Sequence, residues 1–208
     1  MDIDNNWWDQ TMTKENNPVS WGKHQFGDLN FQSRQQVRQF YLDTFNGSLF
    51  TVADLGCGYG IEVEGYIQNK INVDYTGYDF SQFMIETASK RLPNQKFVRC
   101  NMLNVPVADN TYDVVLLRHV LEHQEDHMKV LNEAIRISKK YILIVTFKER
   151  SRNKHIIRLK PKAYFDNILS SSQLQKELAS LNITVKQRIE FKKADRDNVF
   201  YSCEKNGG

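Results

Sequence analysis

The chain has 208 residues, 40% of them hydrophobic and 12% aromatic, which is enough for one domain with a real core and gives no reason in length to divide it. Its 28 Lys and Arg stand against 25 Asp and Glu, a balance too even to demand nucleic acid or a membrane as partner. Cys57, Cys100 and Cys203 form no CxxC pair, the first residues (MDIDNNWWDQ) are acidic and polar where a secretory leader is basic and then apolar, and no apolar run nears the roughly 20 residues of a membrane span, so a cytoplasmic protein in a reducing compartment is predicted.

In chain order, the first thirty residues are polar with Trp7, Trp8, Trp21 and Phe26 scattered among them, and Arg34 to Phe45 follows as a helix with Val37, Phe40 and Tyr41 on one face. Leu49 to Leu55 reads as a buried strand ending in glycines, and Ile61 to Asn69 as a helix. Val73 to Asp79 is strand-like, and Ser81 to Arg91 helical with Ser81 as N-cap. Lys96 to Cys100 and Tyr112 to Leu117 are strands, Glu125 to Ile137 a helix, and Tyr141 to Phe147 the most hydrophobic strand. The tail changes pattern: Ser172 to Leu181 is helical, and Ile183 to Phe191 and Asn198 to Cys203 are two strands around the polar turn KKADRD. Strands alternating with helices predict an α/β fold, a mostly parallel sheet of seven strands with helices on both faces, its edge closed by a C-terminal antiparallel hairpin.

Asp54-Leu55-Gly56-Cys57-Gly58-Tyr59-Gly60 joins the first strand to the next helix. Glycines there let the backbone turn sharply and let a ligand reach main-chain N–H groups without interference from a Cβ. Alone, such a loop is equally a tight strand-to-helix turn. Its spacing is GxGxG, with Ile61 where the dinucleotide fingerprint GxGxxG wants Gly or Ala. Asp79 stands at the end of the following strand, where a carboxylate accepts hydrogen bonds from both ribose hydroxyls of an adenosine ligand.

With these residues, the stretch from about Thr51 to Phe147 resembles the class I S-adenosylmethionine-dependent methyltransferases, in particular the small bacterial type. Four landmarks in order carry the resemblance: VADLGCGYG (Val52 to Gly60), GYDFS (Gly77 to Ser81), NMLNVPVADNTYDVV (Asn101 to Val115) and RHVLEH (Arg118 to His123). It implies a Rossmann-like fold, S-adenosylmethionine as cofactor and S-adenosylhomocysteine as product. It further implies that Asp54 and the Gly56, Cys57, Gly58 and Gly60 loop cradle the methionine portion, that Asp79 holds the ribose, and that Phe80 and Met84 cover one adenine face. Asn101 and Met102 then reach the adenine edge, with Asn101 departing from the family's usual Asp, and Arg118 lines the methionine end. His119 and His123 flank the strand end that faces the methyl group and are the candidate general bases, His119 the better placed because His123 belongs to an LEH triplet that often opens a helix.

His119, His123 and His127 recur every four residues, but a metal site is not expected, because His119 belongs to the strand end and breaks the helical register. On the acceptor side, Lys148 to Lys162 carries seven Lys or Arg and a single acid, and reads either as a solvated loop or as a clamp on an anionic acceptor through Arg150, Arg152 or Arg158. Trp21 and the earlier tryptophans form either an anchor on the sheet or a lid over the acceptor. The division expected is one domain, 1–208: a cap and first helix to 46, a cofactor core over 47–147, and an acceptor-side loop, helix and terminal strands over 148–208. The function expected is methyl transfer to O or N of a small, polar, anionic metabolite such as a phosphorylated or nucleotide-linked sugar. An RNA or protein methyltransferase is the alternative, and a non-catalytic nucleotide-binding module the second.

Overall fold

Leu116 and Leu117 are adjacent in sequence, both without solvent exposure, and they pack into different cores. Successive side chains of a strand point to opposite faces, so this pair marks a strand covered on both sides. The computed structural model describes residues 28–147, 155–160, 162–167, 169–191 and 197–206, with the backbone alone over 155–160 and 162–166.

Among the described residues the strands are β1 (Phe50–Leu55), β2 (Val73–Asp79), β3 (Lys96–Arg99), β4 (Tyr112–Arg118), β5 (Ser138–Phe147), β6 (His155–Lys160), β7 (Lys162–Asn167), β8 (Ile183–Glu190) and β9 (Asn198–Lys205). Seven of them form one sheet in the order β3-β2-β1-β4-β5-β9-β8. The first five run parallel, β9 lies antiparallel against β5, and β8 antiparallel against β9 closes the edge. This is the mostly parallel α/β sheet, closed by an antiparallel C-terminal hairpin, that the alternating pattern and the tail predict.

Helices α1 (Gln32–Phe45), α2 (Ile61–Gln68) and α3 (Gln82–Arg91) cover one face, packing Val37, Tyr41, Val63, Tyr66 and Ile85 on Val52, Val114, Leu116, Leu143 and Val145. On the other face α4 (His127–Ile137) and α5 (Ser171–Ser180) pack Val130, Leu131, Ala134, Leu174 and Leu178 on Leu55, Val115, Leu117, Ile142 and Ile144. Ser81 is the N-cap of α3 as expected, its hydroxyl accepting from the Met84 N–H at 3.2 Å.

Two expectations are corrected. The helix expected from Glu125 starts at His127, because the Asp126 carboxylate caps it by accepting from the Met128 N–H. Ahead of it Leu121–His123 is a separate 3-10 turn, and Gln124 is extended. The basic loop expected over Lys148 to Lys162 is in part a β-hairpin, β6 pairing antiparallel with β7 from His155–Asn167 to Lys160–Lys162. Its charges masked residues of high strand propensity, Ile157, Tyr164 and Phe165 among them.

The strand order reverses between β1 and β4, whose neighbours on the far sides are β2 and β5. At such a point the loops leaving the carboxyl ends of the two strands diverge and open a crevice. The glycine loop leaves β1 there, and His119 leaves β4.

Candidate active site

The glycine loop is hung on the end of β2. The N–H groups of Gly56 and Cys57 both donate to the Tyr78 carbonyl, at 2.7 and 3.0 Å. The N–H of Gly58 donates to one Asp79 oxygen at 2.8 Å, and the N–H of Ser81 to the other at 2.9 Å. Asp79 therefore ties the loop to the start of α3. Gly56 has φ +79°, and a Cβ there would lie 2.5 Å from Val120 Cγ2. Gly58, at φ +54°, is different: a Cβ there would meet nothing within 4 Å, so the loop presents bare backbone to open space. Cys57 is buried and its thiol is pushed well above its usual value by burial, which makes it packing and not a nucleophile.

Behind the loop lies a buried charge cluster. Asp54, at the end of β1, is 1% exposed and accepts from the Tyr75 hydroxyl at 2.8 Å; burial raises its carboxyl to about 6. Glu62, in the first turn of α2, pairs with both Arg34 from α1 and Arg118 from β4, the latter at 3.1 Å. Arg118 also donates to the Ser33 hydroxyl at 2.9 Å. Burial, and then the neighbouring Arg118, lowers the Arg34 guanidinium to about 9. Glu62 Oε2 and the Tyr59 hydroxyl are among the buried polar atoms that have no hydrogen-bond partner within the described residues. An unsatisfied carboxylate oxygen and phenol beside a glycine cradle suit a ligand that brings both an ammonium and a carboxylate.

His119 ends β4 in the left-handed region, φ +52°, its N–H donating to the Val145 carbonyl at 2.8 Å. Its ring stacks on Phe147 with centroids 4.1 Å apart, and Nδ1 faces Glu122 Oε1 at 3.4 Å. The side chain is 18% exposed, and burial lowers it to about 4, so the imidazole is neutral at neutral pH.

A family model described as a methyltransferase domain matches residues 53–144. That stretch is a methyltransferase domain, on a fold of the class I S-adenosylmethionine-dependent type. Over 170 residues the chain is 24% identical to the ubiquinone/menaquinone biosynthesis C-methyltransferase UbiE of Campylobacter jejuni, covering 77% of this chain and 68% of that one. It is 34% identical over 84 residues to the trans-aconitate 2-methyltransferase of Rhodopseudomonas palustris, 40% of this chain and 32% of the relative. Among solved structures, magnesium protoporphyrin IX methyltransferase from Synechocystis with bound S-adenosylmethionine superposes with a TM-score of 0.73 over 95% of both chains at 14% identity. A methyltransferase from Aquifex aeolicus gives 0.67 over 90% of this chain and 97% of that one at 18% identity.

The fold gathers Asp54, Gly56, Cys57, Gly58, Gly60, Asp79, Arg118 and His119 at one end of the sheet. The candidates for the adenine lie in different settings. Phe80 is half-buried, with the Arg99 guanidinium 5.8 Å from its ring centroid. Met84 is buried with Tyr59 in a small cluster of its own. Asn101 is exposed and its carbonyl oxygen accepts from the Leu103 N–H at 3.0 Å, capping its own turn, while Met102 packs against the core. His123 is half-buried at the last position of the 3-10 turn. Trp21, Arg150 and Arg152 lie outside the described residues, as does the side chain of Arg158, whose backbone pairs with Tyr164. His127 pairs with Glu177 at 2.8 Å, away from His119, and among the described residues no three His, Cys, Asp or Glu gather as a metal site. Among the described residues no helix is long and apolar enough to cross a membrane.

Sequence reasoning passed over Arg34, Tyr59, Glu62 and Glu122. A signal existed for two of them. Arg34 precedes Val37 and Tyr41 at helical spacing, and Glu62 sits beside Val63 and four residues before Tyr66, so both charges fall within buried stripes. A charge inside an apolar stripe needs a partner, and these two partner each other.

Proposed function

We propose that this methyltransferase acts on a small-molecule acceptor held beside His119, with residues 1–208 working as one catalytic unit divided at 46 and 147. The observation that carries this reading is the placement of a neutral, constrained imidazole at the end of β4, next to the strand end from which the glycine loop leaves β1. When bound, S-adenosylmethionine supplies an activated methyl group, whose C–S bond breaks with its electron pair left on sulfur as the acceptor's lone pair forms the new bond.

In this reading Gly56, Gly58, Gly60 and Asp54 hold the methionine portion, with Arg34, Arg118 and Tyr59 facing its carboxylate and Glu62 its ammonium. Asp79 takes the ribose, and Phe80, Met84, Asn101 and Met102 border the adenine, Met84 from beneath through Tyr59. His119 receives the acceptor's proton, with His123 beside it. The residues do their work by orientation and by excluding water, which together account for much of the rate in an in-line displacement.

The acceptor proposed is polar and anionic, a phosphorylated or nucleotide-linked sugar or a carboxylic acid methylated on O or N, because seven of the fifteen residues from Lys148 to Lys162 are Lys or Arg. A second reading, a ring carbon as acceptor, is favoured by the aromatic wall that Phe147 makes with His119, and by relatives named as C-methyltransferases. The test is transfer of label from methyl-labelled S-adenosylmethionine to a panel of sugar phosphates, nucleotide sugars and di- and tricarboxylates, with quinols, bulk RNA and bulk protein beside them. Labelling of an anionic metabolite supports the first reading and labelling of a quinol the second. Labelling of RNA or protein alone, or none with the cofactor bound, overturns both.

A further inference from the structure

We propose that Glu122 is a positioning residue for His119: its buried carboxylate keeps the ring proton on Nδ1 and so leaves Nε2 as the atom that receives the acceptor's proton. The proposal rests on the reading of His119 as proton acceptor and adds the group that makes one ring nitrogen, not the other, competent.

Glu122 lies inside the 3-10 turn and is 2% exposed. Oε1 accepts the Phe147 N–H at 2.7 Å and is the atom that faces His119 Nδ1 at 3.4 Å. A main-chain N–H only donates, so Oε1 is held as an acceptor, and the nitrogen facing it must carry the proton. Oε2 is buried and has no hydrogen-bond partner among the described residues, so the carboxylate meets the imidazole through Oε1 alone.

The ring has little freedom to avoid this partner. Its backbone is fixed by the left-handed φ and by the bond to Val145, and its plane is fixed against Phe147, the residue whose N–H holds Glu122. One short unit, Phe147, therefore aligns both members of the pair. The other charges acting on the pair are Arg118 and Arg34, which oppose a proton on His119, and His123, which acts on Glu122. The carboxylate is held below its usual range despite burial, chiefly by its bond to His119. A neutral His119 with Nδ1 protonated thus offers a lone pair at Nε2.

As the acceptor atom's lone pair bonds to the methyl carbon and the C–S electron pair stays on sulfur, the acceptor's proton passes to Nε2. The positive charge that sulfur gives up reappears on an imidazolium facing Glu122, and the site keeps its net charge. A neutral partner at position 122 would leave that imidazolium buried and unpaired.

The experiment is long-range proton–nitrogen NMR of protein labelled with nitrogen-15 histidine, with His119→Asn to assign the ring. In the wild type the account predicts protonated-type nitrogen at Nδ1 and lone-pair-type nitrogen at Nε2 at neutral pH. Glu122→Leu, which removes the acceptor, should shift that population toward the Nε2–H form and lower the pKa of the ring by about one unit, since an opposing charge at this range is removed, whereas Glu122→Gln, whose amide oxygen still accepts the Phe147 N–H, should keep the Nδ1–H form. Glu122→Asp, which keeps the charge, should restore the wild-type tautomer at least in part, as a purely structural role would not. A wild-type ring already in the Nε2–H form overturns the proposal, and needs no variant to fold. So does a tautomer that Glu122→Leu leaves unchanged. Cofactor titration of the same sample separates the two readings: failure to bind S-adenosylmethionine overturns the function, whereas the wrong tautomer with intact binding overturns the role of Glu122 alone.

Discussion

Asp79 accepts the Gly58 N–H at 2.8 Å, so the carboxylate proposed for the ribose also sets the shape of the glycine loop. Ser81 N–H holds its other oxygen. One side chain joins the end of β2, the loop after β1 and the cap of α3.

Asp79→Ala should therefore weaken S-adenosylhomocysteine binding through both lost ribose contacts and a loosened loop. Hydrogen bonds to a charged group are worth about 1.5–3 kcal/mol, so a fall of roughly ten- to hundredfold or more is expected in a calorimetric titration. Asp79→Asn, which keeps an acceptor oxygen, should fall between. Unchanged affinity in Asp79→Ala removes the residue from the site.

Gly77→Ala should destabilise the fold without touching a ligand. The new Cβ would lie 2.8 Å from Cys57 Sγ and 2.8 Å from the Tyr75 hydroxyl, both buried groups with little room to move. Overpacking of this kind costs about 1–3 kcal/mol, read as a lower urea midpoint with unchanged slope.

Glu62→Ala should be more damaging, because it leaves the Arg34 and Arg118 guanidiniums buried side by side with their shared carboxylate gone. Removing one member of a buried ion pair costs about 3–5 kcal/mol. A denaturation midpoint equal to that of the wild type would show that the cluster contributes nothing to the fold.

Asp54 gives a pH dependence with a definite sign. Its folded carboxyl titrates near 6, above the ordinary value of 3.8, so between these values the folded state binds the extra proton. Stability from this group is present below about 4 and is lost as pH rises through 6. Asp54→Asn should then gain on the wild type between pH 5 and pH 7, by an amount bounded at about 3 kcal/mol from the two pKa values. A gap between the two proteins that does not change with pH contradicts the buried carboxylate.

His119→Ala should slow turnover by about 10²–10⁴-fold, the usual range for a positioned general base, with little change in cofactor affinity. With its folded value near 4, the imidazole is in the accepting form throughout the neutral range, and activity carried by it is lost only as pH falls through about 4. Equal turnover in the two proteins leaves proximity alone as the source of the rate.

Much of the framework was legible because it is local. Continuous apolar runs such as YDVVLL and YILIVTF announce strands buried on both faces, Ser81 announces its own helix, and the glycine loop announces the crevice. The charge cluster was not legible as a cluster, since Arg34, Glu62 and Arg118 are far apart in the chain and meet only when α1, α2 and β4 converge. The β6–β7 hairpin was hidden by its charges. RHVLEH was read as strand followed by helix, but the left-handed φ at His119 turns the chain into a 3-10 turn, and that turn is what carries Glu122 to His119 and Phe147. Side-chain spacing along one element does not reveal a contact made by reversing direction.

The most direct test of the account is calorimetric titration of the purified protein with S-adenosylmethionine and S-adenosylhomocysteine, with NAD as control. The GxGxG loop, the ribose carboxylate and the buried charge cluster predict micromolar binding of both sulfur ligands and none of NAD. Binding of NAD, or of neither sulfur ligand, would contradict it.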